Sequence, residues 1–372
     1  MAGFTTVPTW PLMMRARVWI VAPGRRYAGR LLSSQAEVAE PHATEPLTSI
    51  RIPTASTKVV LADTVDIAPV AVGCWSWGDR PTWKWTPESE ADDMDAFRTA
   101  IRSGINLFDT AEKYGNGESE RLLGRFIARD KVRDKVAIAT KFLPLPGKTN
   151  YSEVLLDALK NSLQRLGVDF VELYQVHGPI HQVSLNTIAD ALAEAVRQGW
   201  TKTVGVSNYS VEEMMTVYER LRDEHGIQLA TNQVEFSLTR TLPLENGMVD
   251  ACRDAGIVLL AYSPLGMGRL TGKYSASNPP PSGRRFSDYK MEELEPLLDT
   301  MRRIAQHHAV PVPAVALNWV MSKGAVPVAG AKNGLQAAQN AMCLGWRLTD
   351  DDVAALNAHS IVGTTDPSWQ HG

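Results

Sequence analysis

Residues 104–115 have the sequence GINLFDTAEKYG, in which a short apolar run passes directly into polar residues. The apolar residues 105–108 predict a buried strand, and the apolar periodicity of 117–128 predicts a helix after it. Asp109 is then placed at the carboxyl end of a strand, and Tyr114 in the turn that follows. A strand, a polar turn and a helix in this order predict one unit of a sheet of parallel strands.

The same unit recurs along the chain. Apolar runs predict strands at 70–72, 105–108, 135–140, 170–176, 203–206, 230–234, 257–261 and 326–328. Helical periodicity predicts helices at 90–102, 117–128, 152–166, 186–198, 211–223, 245–255, 292–307 and 312–321, with a last helix after Gly334. Ser152 is a candidate N-cap for its helix. Eight strands, each followed by a helix, predict an α/β fold of the closed (β/α)8 TIM barrel type. Residues 58–61 and 65–67 predict a hairpin before the first barrel strand.

An open, doubly wound sheet is the alternative α/β fold. Such a sheet usually places a glycine-rich GxGxxG turn after its first strand, where it binds a phosphate. Residues 73–78 are GCWSWG, which does not match this pattern. Residues 266–272 are GMGRLTG, in which Thr271 stands where the third glycine should be. The closed barrel is therefore favoured.

The composition excludes several classes of function. The chain has 372 residues, 44% of them hydrophobic and 21% charged, which suits a globular domain with a large core. The net charge of −3 gives no basic excess for nucleic acid or for an anionic membrane. No apolar run approaches the length of a transmembrane helix. Three scattered cysteines, Cys74, Cys252 and Cys343, match no disulfide framework or zinc spacing, so no metal is expected.

The first 35 residues differ from the rest of the chain because they contain five arginines and no acidic residue. An arginine-rich, acid-poor start is typical of organelle transit peptides. We therefore predict a flexible leader and linker at 1–57 and a barrel domain at 58–362. The expected location is the chloroplast or another plastid, with the mitochondrion and the cytoplasm as alternatives.

Polar residues follow the predicted barrel strands, where TIM barrels carry their chemistry. Asp109 and Tyr114 follow the second strand, Lys141 the third and His177 the fourth. The later strand ends carry Ser207, Asn208, Gln233, Tyr262, Ser263, Gly330, Ala331 and Lys332.

The first four of these residues have the chemistry of a proton-donating centre. The phenol of Tyr has a pKa of about 10, and a nearby Lys lowers it by favouring the phenolate. An Asp paired with Lys141 would keep the ammonium charged, and His177 could orient a carbonyl oxygen beside Tyr114. Each residue alone has a purely structural explanation, such as a turn, a strand edge or a core position. Their occurrence at three consecutive strand ends favours a single catalytic site.

Residues 58 to about 360 resemble the aldo-keto reductase superfamily. The resemblance is carried by 104–115, Thr140-Lys141, 173–177, 204–208, Gln233 and 261–265, which occur in the order of the family. It implies that Asp109, Tyr114, Lys141 and His177 form a catalytic tetrad with Tyr114 as general acid. It also implies a small-molecule aldehyde or ketone as substrate, contacted by Trp75, Tyr114 and His177.

The resemblance further implies that NADPH/NADP+ binds in an extended conformation without a Rossmann fold. Ser207, Asn208 and Gln233 would hold the nicotinamide carboxamide, and Tyr262 would stack on the ring. The remaining expected cofactor contacts are Gly73, Cys74, Trp75, Asp109, Ser263, Pro264, Leu265, Gly266, Gly330, Ala331, Lys332, Gln336, Gln339 and Asn340. The loop 266–288 is expected to fold over the cofactor.

Some features depart from the family or leave alternatives open. Gly178 follows His177 where many relatives carry Trp, and Gln336 and Gln339 stand where many carry Arg and Glu. Residues 278–285 and 330–333 resemble plastid-type plant and algal members related to pyridoxal reductases. A non-catalytic NADPH-binding regulatory subunit is the alternative function. A metal-dependent hydrolase is disfavoured because His177 is the only histidine at a predicted strand end. The sequence predicts no oligomeric state.

Overall fold

The computed structural model describes residues 52–145, 147, 150–284, 286 and 288–372. Nearly all of the predicted flexible leader, residues 1–51 of 1–57, therefore lies outside the described part of the chain.

Ten strands form along the described chain, and eight of them close into a parallel barrel in the order β10-β3-β4-β5-β6-β7-β8-β9. The predicted (β/α)8 fold is thus confirmed. The strands are β1 Val59–Leu61, β2 Val65–Ile67, β3 Ala71–Gly73, β4 Leu107–Asp109, β5 Ala137–Phe142, β6 Val171–Val176, β7 Thr201–Ser207, β8 Leu229–Glu235, β9 Val258–Tyr262 and β10 Val326–Gly330.

Helices surround the barrel and cover the outer face of its strands. They are α1 Arg80–Trp83, α2 Glu90–Arg102, α3 Glu118–Asp130, α4 Tyr151–Leu166, α5 Leu185–Arg197, α6 Val211–His225, α7 Leu242–Glu245, α8 Met248–Asp254, α9 Met291–His307, α10 Val312–Ser322, α11 Gly334–Ala341 and α12 Asp350–Asn357. None of the described helices is long and apolar enough to cross a membrane.

The antiparallel hairpin β1-β2 covers the amino-terminal end of the barrel. Its buried Leu61, Val65 and Ile67 join one apolar cluster with small residues of the barrel strands, among them Ala139 and Ala230. Burying this surface stabilises the closed end of the barrel. The opposite end, where the strands finish, remains available for polar side chains.

Two predicted helix boundaries are wrong. Helix α4 begins at Tyr151 with Asn150 as its N-cap, so Ser152 lies inside the helix. The reason is that the Tyr151 ring is buried and packs edge-on against Phe142 at 5.6 Å. The single helix expected at 245–255 is two helices, α7 and α8, because Gly247 between them has a left-handed φ of 79°.

Two helices were not predicted. Helix α1 is one turn long and depends on a cap, in which Asp79 Oδ1 accepts hydrogen bonds from the backbone of Thr82 and Trp83 at 2.8 and 3.0 Å. Helix α12 follows a capping box between Thr349 and Asp352, a signal that the sequence does contain.

Candidate active site

The ends of β4 and β5 bring three of the predicted catalytic residues together. Lys141 Nζ lies 2.5 Å from Asp109 Oδ2, and both side chains are almost completely buried. The same ammonium donates to the Thr110 carbonyl at 2.9 Å and lies 3.5 Å from Tyr114 Oη. The arrangement places a buried ion pair directly below a phenol.

The turn between Asp109 and helix α3 depends on a glycine. Gly115 has a left-handed φ of 56°, and a Cβ at this position would lie only 2.6 Å from the Gly78 carbonyl oxygen. Glycine is therefore required here for both conformation and space. This close contact fixes the turn that carries Tyr114 against the loop after β3.

Asp109 is oriented by a second set of donors. Gln233 Nε2 donates to Asp109 Oδ1 at 2.9 Å, and Gln175 Nε2 approaches the same oxygen at 3.4 Å. Thr231 in turn donates to Gln175 Oε1 at 3.1 Å. Gln175 and Thr231 were not predicted as site residues, although a polar residue within an otherwise apolar buried strand is a usable signal.

His177 stands beside the phenol. Its ring is edge-on to Tyr114, with centroids 5.6 Å apart, and its backbone carbonyl accepts a hydrogen bond from Asn208 Nδ2 at 3.2 Å. Burial, followed by the positive charge of Lys141, holds the pKa of His177 well below its ordinary value. The imidazole is therefore neutral at physiological pH.

Tyr114 has a pKa well above its ordinary value, because burial disfavours the phenolate and the charge of Asp109 repels it. The net shift is therefore opposite to the lowering expected from Lys141, because burial and Asp109 outweigh the effect of the ammonium. The ammonium lies closer to Asp109 than to Tyr114, so the carboxylate offsets part of its field at the phenol. Tyr114 consequently remains a neutral proton donor.

A cleft of about 1800 Å³ opens above these residues. Asp109, Tyr114 and His177 contribute to its wall, whereas Lys141 lies beneath it. The expected cofactor contacts that line it are Gly73, Trp75, Asp109, Ser207, Asn208, Gln233, Tyr262, Ser263, Pro264, Leu265, Gly330, Lys332, Gln336, Gln339 and Asn340. Cys74, Gly266 and Ala331 are buried and do not contribute to the wall.

The ends of β7 and β9 form a polar surface next to the predicted catalytic residues. Tyr262 Oη donates to Asn208 Oδ1 at 3.0 Å, and Ser207 Oγ donates to the Gln233 carbonyl at 2.7 Å. Asn208 and Ser263 have left-handed φ values of 63° and 51°. Strained backbone of this kind in non-glycine residues is concentrated at functional sites.

The far end of the cleft carries positive charge. Lys332, Arg284 and Lys273 all line it, and no carboxylate lies within ion-pair distance of any of them among the described residues. Burial and repulsion from Arg284 lower the pKa of Lys332, and Asp93 partly offsets this effect. Lys332 also stands before Asn333, the N-cap of helix α11, whose amino end favours anions.

Trp83 contacts two of the basic residues at this far end of the cleft. The Arg284 guanidinium lies 5.2 Å from the centroid of the Trp83 ring, and Lys332 Nζ donates to the Trp83 carbonyl at 2.9 Å. Arg284 belongs to the loop 266–288 and also donates to the Met267 carbonyl and to Tyr274 Oη. The role of this loop over a cofactor stays a prediction. Trp83, Lys273 and Tyr274 were not predicted as site residues.

Nearer the tetrad, Phe286 of the same loop contacts aromatic rings on both sides. Its ring lies 6.2 Å from Trp75 and 5.4 Å from Tyr262. Trp75 in turn stacks on Tyr114 at 5.9 Å. Trp369, from the far carboxyl-terminal part of the sequence, also lines the cleft and was not predicted. The predicted catalytic residues therefore open into an aromatic pocket.

The described residues contain no group of three or more His, Cys, Asp or Glu side chains that could hold a metal ion. The arrangement supports proton transfer at Tyr114. Beside Tyr114, the polar groups at the ends of β7 and β9 can bind a planar ring. The positively charged far end of the cleft can bind a phosphate.

Comparison with known proteins gives consistent matches. The model of the aldo/keto reductase family matches residues 69–361. The chain is 35% identical to the chloroplastic pyridoxal reductase of Arabidopsis thaliana over 78% of this chain and 83% of that protein. The structure of a glycerol dehydrogenase from Gluconobacter oxydans superposes with a TM-score of 0.71 at 25% identity, covering 83% of this chain and 98% of that one. An aldo-keto reductase from Bombyx mori in complex with NADP superposes with a TM-score of 0.65 at 25% identity, over 86% and 97% of the two chains.

Proposed function

The chain belongs to the aldo/keto reductase family, and we propose that it uses NADPH to reduce an aldehyde or ketone to an alcohol, with Tyr114 as general acid. The observation that carries this proposal is the buried pair of Lys141 and Asp109 beneath Tyr114. Tyr114 and the neutral His177 face the same cleft, so both can contact one carbonyl oxygen.

In the proposed reaction NADPH supplies the hydride that reaches the carbonyl carbon. Tyr114 Oη donates its proton to the carbonyl oxygen as negative charge develops there. Lys141, 3.5 Å from Tyr114 Oη, stabilises the phenolate that remains, and Asp109 holds the ammonium in position. His177 lies beside the phenol and orients the carbonyl oxygen.

The shape and charge of the cleft support NADPH as the cofactor. Ser207, Asn208 and Tyr262 offer hydroxyl and amide groups and an aromatic face, which suit a carboxamide-bearing planar ring. At the far end, Lys332, Arg284 and Lys273 repel one another, and a phosphate group would relieve this repulsion. The NADP bound to the Bombyx mori relative agrees with this assignment.

The test is NADPH oxidation with benzaldehyde, followed by absorbance. Wild type is expected to consume NADPH, and Tyr114→Phe is expected to lose at least about 100-fold in kcat, the usual loss when a general acid is removed. NADPH binding to Tyr114→Phe, measured by fluorescence, should be unchanged. The matched control is Tyr218→Phe on α6, which lies outside the cleft and should retain full activity. If wild type binds NADPH but reduces no member of a carbonyl panel, the regulatory-subunit alternative replaces the enzyme.

We further propose that the barrel domain spans about 58–362 and that residues 1–57 direct the protein into a plastid. The chloroplastic location of the Arabidopsis thaliana relative and the arginine-rich, acid-free start of the chain support this. Residues 1–57 fused to a fluorescent protein should accumulate in plastids, and cytoplasmic fluorescence would contradict the proposal. Pyridoxal, the compound named for that relative, belongs in the first substrate panel.

A further inference from the structure

The segment 366–372, here called the tail segment, reaches the cleft and places an indole on the catalytic histidine. The rings of Trp369 and His177 meet edge-on with their centroids 5.4 Å apart. A Cβ built on Gly178 would lie 2.9 Å from Trp369 Cζ3 and 3.1 Å from Cη2. The indole therefore rests directly on the backbone of Gly178, and a side chain at 178 would exclude it from this position.

Gln370 anchors the tail segment in the barrel. Its side chain is buried, and Nε2 donates to Glu235 Oε2 at 2.6 Å and to Tyr262 Oη at 3.0 Å. Its Oε1 accepts a hydrogen bond from the backbone of Asp366 at 3.1 Å, which closes the tail segment into a turn. A buried amide with both ends bonded is held in one orientation.

The next residue makes a second anchor. The His371 backbone donates to the Asn208 carbonyl at 3.0 Å. Asn208 in turn bonds to the His177 carbonyl through its side chain and to Tyr262 through Oδ1. A closed circuit of contacts thus runs from His177 through Asn208, Tyr262 and Gln370 to Trp369 and back to His177. The position of the indole is fixed relative to the residues proposed for the reaction.

The pocket beside Tyr114 is bordered by aromatic rings on more than one side. Trp75 stacks on Tyr114 with 25° between the planes, and Phe286 lies edge-on to Trp75. Trp369 adds a wall over His177, and the apolar Leu143, Leu145 and Ile180 complete the lining. Rigid aromatic walls favour flat, apolar ligands over flexible chains.

On these observations we propose that Trp369 is a specificity-determining residue that selects planar aromatic carbonyls, and that Gln370 is the residue that positions it. This inference rests on the proposed carbonyl reduction. It assigns substrate choice to a segment almost 200 positions from the catalytic histidine, and it accounts for the glycine at 178.

The experiment compares kcat/KM for benzaldehyde and for hexanal, together with NADPH affinity, in the full-length protein. Wild type should favour benzaldehyde. Trp369→Ala should lower the benzaldehyde-to-hexanal ratio by about tenfold, the size expected for loss of one aromatic contact, with NADPH affinity unchanged. Trp369→Phe should retain most of the ratio. Gln370→Ala should lower the ratio mainly through KM for benzaldehyde.

Gly178→Ala tests the same wall from the other side, because its Cβ displaces the indole while Trp369 itself remains. It should lower the ratio like Trp369→Ala, and it serves as the test if Trp369→Ala does not fold. The control is Trp346→Ala, which removes an indole that packs against His308 outside the cleft and should leave the ratio unchanged.

An unchanged ratio in Trp369→Ala and Gly178→Ala, with both carbonyls still reduced, overturns this inference and leaves the proposed function intact. Absence of reduction of either carbonyl by wild type, despite NADPH binding, overturns the proposed function and the inference with it.

Discussion

Separating Asp109 from Lys141 is expected to cost both stability and activity. The two side chains are 3% and 0% exposed, and their charged atoms lie 2.5 Å apart. Removing one partner leaves the other charge buried without its counter-charge, which costs about 3–5 kcal/mol of unfolding free energy. Lys141→Met and Asp109→Asn are both expected to fall in this range. The loss for Lys141→Met should lie at the lower end of this range, because Gln233 and Gln175 still donate hydrogen bonds to Asp109.

The double variant Asp109→Asn/Lys141→Met distinguishes a desolvated pair from two independent contacts. Because it removes both charges, no uncompensated charge stays in the core, and its cost should be at least ~2 kcal/mol less than the sum of the two single variants. Denaturant unfolding, followed by the fluorescence of the ten tryptophans, measures the free energy of unfolding of both single variants and of the double variant. In the same variants carbonyl reduction should fall, while NADPH affinity changes less than kcat.

An exposed ion pair provides the matched control. Lys160 lies 3.4 Å from Asp157 on helix α4, with side chains 54% and 68% exposed. Lys160→Met should change stability by no more than ~0.5 kcal/mol, because water already solvates both groups. Additive costs in the Asp109 and Lys141 variants, or single costs as small as that of the control, would refute the assignment of a desolvated pair.

Three further predictions concern other parts of the molecule. Burial raises the pKa of Asp93 to about 7 even though Trp85 Nε1 donates to it at 2.8 Å. Since the folded pKa exceeds the unfolded one, stability falls as pH rises from about 4 to about 7. Asp93→Asn should therefore raise the free energy of unfolding at pH 8 by at most ~4 kcal/mol, with a higher Tm, and should raise neither at pH 4. Lys332→Ala should raise KM for NADPH by about tenfold and KM for NADH by a smaller factor, both measured by steady-state kinetics. Equal increases in the two KM values would show that Lys332 does not bind the phosphate. Gly124→Ala places a Cβ 2.2 Å from the Leu166 carbonyl oxygen, where α3 contacts α4. It should therefore lower the free energy of unfolding by ~1–3 kcal/mol in denaturant unfolding, although Ala in place of Gly usually stabilises a helix.

The barrel could be predicted because its strands and helices are encoded locally. Each buried strand is a short apolar run, and each helix repeats its apolar residues at a fixed spacing. The errors occur where tertiary contacts override this pattern. Tyr151 enters helix α4 because its ring packs on Phe142, and Asp79 forms α1 through a single side-chain cap.

The floor of the candidate site was predictable for a related reason. The end of each parallel strand faces the same rim, so Asp109, Lys141 and His177 had to lie near one another once the barrel was inferred. The tail segment follows no such rule. Trp369 and Gln370 lie in a stretch without periodicity, and their contacts with His177, Tyr262 and Glu235 join residues more than 100 positions apart. Only the three-dimensional fold shows that Gly178 leaves space for an indole.

The distribution of charge along the cleft bears on two parts of the proposed reaction, which are proton donation by Tyr114 and the orientation of the cofactor. At the floor, Asp109 offsets Lys141, so the site has little net charge. Burial, followed by the charge of Asp109, raises the pKa of Tyr114. A phenol that remains protonated at neutral pH can donate a proton to a carbonyl oxygen, whereas the reverse reaction first requires the phenolate. At the far end, Lys332, Arg284 and Lys273 attract a phosphate. We therefore expect a cofactor with a phosphate at one end and a neutral dihydronicotinamide at the other to lie along the cleft with its ring toward Tyr114. The same orientation should weaken when Lys332 is removed, even though that residue lies far from the reacting atoms.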